Sequence, residues 1–98
     1  MLREEQFKTY MRNVRGLSEG SIRNYVTGIQ TINDILQKNK FRLLTVFAAE
    51  CFEDLDDIKD FLEHNSEYHT KNTVEHNMYS ASFKHFYRFA YVQIASEK

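Results

Sequence analysis

The side chains able to do chemistry in this sequence are four histidines (His64, His69, His76, His85), one cysteine (Cys51) and six close carboxylates (Glu50, Glu53, Asp54, Asp56, Asp57, Asp60). Histidine and cysteine together are zinc ligands, and histidine alone can move protons near neutral pH. The successive histidine spacings, 5, 7 and 9 residues, match neither a His-x-x-x-His pair on one helical face nor a cysteine–histidine zinc pattern. The carboxylates lack the glycine and the ligand spacing of a calcium loop. Acid at the start of a helix instead complements the helix dipole and leaves a solvated face. With only Gly16, Gly20 and Gly28, there is no phosphate-cradling loop and no Gly-x-Ser-x-Gly elbow. The sequence therefore predicts no metal, no cofactor and no catalytic centre of its own.

What remains is binding chemistry, and the charge is unevenly spread. The net charge is −1, yet residues 1–42 carry +4, residues 43–70 carry −7 and residues 71–98 carry +2. Basic flanks around an acidic middle can present one positive and one negative surface. Ninety-eight residues, 42% hydrophobic and 28% charged, suit one small globular domain over 1–98. A lone cysteine gives no disulfide within the chain, and Cys51 reads as a small buried hydrophobe. No apolar run approaches the roughly 18–20 residues of a membrane span, and the N-terminus lacks the apolar stretch of a signal peptide. The expected location is cytoplasmic.

The elements that must position any binding residues are helical, because proline is absent and apolar residues recur at helical spacing. A first helix is expected over Leu2–Val14, with Phe7, Tyr10, Met11 and Val14 as its stripe and Gly16 as its stop. Ser18 caps a second helix over Glu19–Asn39, with Ile22, Tyr25, Val26, Ile29, Ile32, Ile35 and Leu36 inward. Residues 40–52 fit a short helix or an extended connection, with Leu43, Leu44, Val46 and Phe47 mostly buried. Asp54 is expected to cap a third helix over Leu55–His64, and Asn65–Thr70 to be a polar connection. The last helix begins between Asn72 and Val74 and runs to about Ala95. Aromatic and aliphatic side chains surround its C-terminal half, from Phe83 to Ile94, so some of that surface is expected to meet a second copy or a following domain.

Two segments together carry a resemblance. Phe7-x-x-Tyr10 followed by Gly16-Leu17-Ser18-x-x-Ser21-Ile22-x-x-Tyr25 resembles the opening of the core-binding domain of tyrosine recombinases and phage integrases. Asn77-Met78-Tyr79-Ser80-Ala81-x-x-Lys84-x-Phe86-x-x-Phe89 resembles the last helix of the same domain, especially the version at the N-terminus of some HNH-type restriction endonucleases. The resemblance implies an all-α, four- to five-helix SAM-like bundle that binds double-stranded DNA through its second and last helices. Carried over by position, it implies DNA contact by Ser21, Arg23, Asn24 and Thr27, and by Lys71, Asn72, Thr73, His76, Asn77, Ser80 and Lys84. Those side chains suit the role, since Asn and Arg pair with base edges while Ser, Thr and Lys suit phosphates. Arg12 and Arg15 are auxiliary phosphate candidates, and Arg88 is as much a packing residue. No recombinase Arg, His-x-x-Arg and Tyr set follows, and the helical spacing of Tyr79, Tyr87 and Tyr91 marks them as packing aromatics rather than nucleophiles. The rival expectation is a helical protein–protein interaction module, built on the acidic middle and the aromatic last helix, that binds no nucleic acid.

Overall fold

Two of the helix starts in this chain are set by short polar side chains that satisfy free backbone N–H groups, and three of the helix stops are followed by left-handed residues. A computed structural model describes residues 2–97. Among them are five α-helices, α1 (Glu4–Asn13), α2 (Glu19–Lys38), α3 (Phe52–Glu63), α4 (Ser66–Val74) and α5 (Met78–Ser96), with a 3₁₀ turn at Val46–Ala48. The all-α bundle expected from the sequence is the fold observed. Met1 and Lys98, the ends of the expected domain span, lie outside the described residues.

The first half follows the sequence closely. Gly16 is left-handed (φ +66°), so α1 stops there and the Leu17 N–H turns back to the Met11 carbonyl at 3.0 Å. The Ser18 hydroxyl accepts the Ser21 N–H at 3.2 Å and opens α2. Of the α2 stripe, every residue is buried except half-buried Tyr25. Of the α1 stripe, Phe7 and Met11 are buried, whereas Val14 stands 69% exposed.

The second half departs from expectation at four places. Residues 40–51 form an irregular connection, bent through 42–45, around the 3₁₀ turn. Asn33 of α2 holds it by accepting the Val46 N–H at 2.8 Å. Leu43 and Val46 are buried there, but Leu44 is 54% exposed. The third helix starts three residues early, at Phe52, with half-buried Cys51 in the capping position. Asp54 is not its cap; from the first turn it reaches back to accept the Glu50 N–H at 2.9 Å. Asn65–Thr70 is not a connection. Asn65 accepts the Tyr68 N–H at 2.8 Å and opens α4, whose single buried residue is Tyr68. The last helix begins only at Met78, because His76 and Asn77 are both left-handed (φ 53° and 66°) and separate it from α4.

α5 is the hub of the bundle. Phe86 and Phe89 are fully buried against Phe7 of α1, with ring centroids at 5.6 and 5.4 Å, and Phe47 adds an edge-on contact to Phe86 at 5.3 Å. Such pairs contribute about 0.5–1.5 kcal/mol each beyond area burial. Because α1, α2, α3 and α4 all pack on α5, the bundle covers more of it than the sequence suggests. Phe83, Ala90 and Ile94 are buried, and of its large apolar residues only Tyr91 and Val92 stand about half exposed.

Candidate nucleic-acid interface

α2 and α5 pack antiparallel and very close. Gly28 sits against Ser82, and Tyr25, one turn earlier on α2, lies against His85, one turn later on α5, with ring centroids 4.7 Å apart. Ser82 is fully buried, and its hydroxyl donates to the Met78 carbonyl at 2.9 Å, so it needs no partner on α2.

His85 shows what surrounds it. Burial holds its pKa below the ordinary imidazole range, and the positive charges of Arg15, Arg88 and Lys84 lower it further. Its Nδ1 is buried without a hydrogen-bond partner. The three cations come from different elements: Arg15 from the α1–α2 connection, and Lys84 and Arg88 from the exposed side of α5. Among the described residues none of the three makes an ion pair, whereas Lys8, Arg12, Lys38, Arg42 and Lys71 all do. One end of the α2–α5 seam is therefore a concentration of unneutralised positive charge.

The residues implied by the resemblance fall in three places. Asn24 is exposed one turn before Gly28, at the border of the seam, and Lys84 is exposed on α5, next in sequence to His85. Arg23 and Thr27 turn the other way, into a cleft between α1 and α2 that they share with Glu4, Glu5 and Glu19. Ser21 is half-buried, and its hydroxyl takes part in the α2 cap through Ser18 at 3.2 Å.

The third place is the α4–α5 turn, where most of the polar residues hold the backbone together. The Asn72 carboxamide oxygen accepts the Ser80 N–H at 3.0 Å, and the Asn72 carbonyl accepts the Asn77 N–H at 2.7 Å. Asn77, in the capping position of α5, makes no side-chain cap bond, so Asn72 supplies that cap from the preceding helix. Ser80 donates its hydroxyl to the Asn77 carbonyl and Thr73 donates its own to the His69 carbonyl, both at 3.0 Å. Lys71 shares Glu67 with Lys38, at 3.4 and 3.0 Å, so its charge is partly offset. His76 is exposed on the turn.

By sequence, Arg15 is only an auxiliary candidate, Arg88 is as much a packing residue, and His85 is no candidate at all. Arg15 could have been found from its position just after the end of α1 and beside the start of α2. His85 carries no pattern that separates it from a surface histidine. His64 and His69 bond backbone carbonyls of α3, those of Asp60 and Glu63, at 2.8 and 2.6 Å. Among the described residues no group of three or more His, Cys, Asp or Glu side chains gathers to hold a metal ion. No helix among them is long and apolar enough to cross a membrane.

A family model described as phage integrase, N-terminal SAM-like domain, matches residues 5–93. No curated protein and no solved structure matches the chain.

Proposed function

This chain belongs to the phage integrase N-terminal SAM-like domain family, and from that premise we propose that it is a double-stranded DNA-binding module with no catalysis of its own, the targeting part of a recombinase- or restriction-type system. The observation that carries the reading is the convergence of Arg15, Lys84 and Arg88, none of them ion-paired among the described residues, around His85 on the α2–α5 seam. DNA presents a dense row of phosphates, and neutralising them releases counterions, which supplies much of the affinity.

In this reading Arg15, Lys84 and Arg88 contact phosphates and set the register. Asn24 is the best placed side chain for a base edge, because a carboxamide pairs bidentately with adenine. Arg23 and Thr27 extend the surface toward α1, where Glu19 offsets part of the Arg23 charge. Lys71, Thr73 and His76 flank the other end. Asn72, Asn77 and Ser80 act through the backbone of the turn that they hold and not as free donors to DNA.

Selection from a random duplex pool tests this. A defined consensus should emerge. Asn24→Ala should weaken binding to the selected site by about tenfold or more, the cost of one base-edge pair, and Arg23→Ala should weaken it less. A pool that never enriches, with no anisotropy change on random duplex at low salt, would refute the DNA reading.

A further inference from the structure

A groove of about 430 Å³ opens between α3, α4 and α5. We propose that this groove is the docking site for an acidic segment of a partner protein that carries one aromatic or long aliphatic anchor. The floor is apolar, formed by Leu62 of α3, Tyr68 of α4 and Phe83 of α5. The rim is basic, with Lys59, Lys84 and Arg88 on it and Glu63 as its only carboxylate.

Charge complementarity selects the occupant. None of the three rim cations makes an ion pair among the described residues; Lys59 only sits over the Tyr87 ring, 6.0 Å from its centroid. In a chain of net charge −1, three unpaired cations around one apolar floor are not an average piece of surface. An anchor side chain removes apolar surface from water, and flanking carboxylates meet the rim and steer the encounter. A basic or uncharged segment would leave those cations uncompensated.

The walls are held in place before anything binds. The Tyr87 hydroxyl donates to Asp56 at 2.8 Å and ties α5 to α3. Asn72 accepts the Ser80 N–H and ties α4 to α5. A preformed groove spares an incoming segment the cost of ordering its receptor. Lys84 and Arg88 belong both to this rim and to the proposed DNA face, so the acidic segment and DNA exclude each other. That last consequence rests on the proposed function; the docking itself does not.

The test is selection of a random peptide display library on the intact chain, followed by titration of the selected peptide into isotope-labelled protein. The enriched peptides should be net negative with one aromatic or long aliphatic residue. Amide shifts should cluster at Leu62, Asn72, Phe83 and Lys84. The Lys59→Glu/Lys84→Glu double variant, with its fold checked by circular dichroism, should weaken the peptide by about tenfold or more. No enrichment, a neutral or basic consensus, shifts centred elsewhere, or unchanged affinity in the double variant would each overturn the proposal. The titration contains no DNA, so it succeeds or fails independently of the DNA reading. A competition arm with labelled duplex then reads the mutual exclusion.

Discussion

Gly28 of α2 and Ser82 of α5 are packed so tightly that a Cβ on Gly28 would stand 2.2 Å from the Ser82 hydroxyl oxygen and 2.9 Å from its Cβ. This contact sets the separation of the two helices that flank the basic seam. Alanine is the better helix former by about 1 kcal/mol, but overpacking a fitted contact costs about 1–3 kcal/mol. Gly28→Ala should therefore destabilise the fold by up to about 2 kcal/mol in chemical denaturation. Adding Ser82→Gly, which removes both clashing atoms, should make Gly28→Ala less costly than it is alone. A stabilised Gly28→Ala chain would mean that the helices are not held this close.

Asn72 caps a helix to which it does not belong. Asn72→Ala removes the acceptor of the Ser80 N–H and should cost about 0.5–2 kcal/mol. Asn72→Asp keeps an acceptor at the start of α5 and should retain most of the stability. Hydrogen exchange gives the local readout. The Ser80 amide should lose protection in Asn72→Ala well beyond what the global destabilisation accounts for.

His85 predicts an acid-side loss of stability. Its folded-state pKa is depressed, first by burial and then by Arg15, Arg88 and Lys84. The unfolded chain therefore takes up the proton more readily than the folded one. The stability is intact above the ordinary imidazole range and is lost as pH falls through that range toward the folded-state value. His85→Phe keeps a ring against Tyr25 and removes the proton site. The fall in melting temperature between neutral and mildly acidic pH should be smaller in His85→Phe than in the parent chain. Equal falls in the two proteins would show that His85 does not titrate differently on folding.

Helices with strong signals of their own are legible in the sequence. The Ile22-to-Leu36 stripe and the Ser18 cap define α2, and Gly16 defines the end of α1, because local spacing and conformation suffice there. α4 escapes because it buries one residue, Tyr68, and has no stripe to read. The start of α5 escapes because its cap comes from Asn72, across a turn made by two left-handed residues without glycine. The same holds for the candidate site. Asn24 and Lys84 are legible as polar residues opposite an apolar stripe. That Asn72, Asn77 and Ser80 are occupied with the turn, and that Arg15 joins Lys84 and Arg88 around His85, depends on tertiary contacts that no local spacing encodes.

If unneutralised charge on the α2–α5 seam binds the DNA backbone, the salt dependence of duplex binding must show it most directly. Removing one phosphate contact lowers the slope of log affinity against log salt by about 0.9. The Arg15→Ala/Lys84→Ala/Arg88→Ala triple variant should bind more weakly at every salt concentration and show a slope shallower by about 2–3. Lys71→Ala, whose charge Glu67 partly offsets, should change the slope much less than the triple variant does. A triple variant with the parental slope and affinity would contradict a DNA-binding role for the seam.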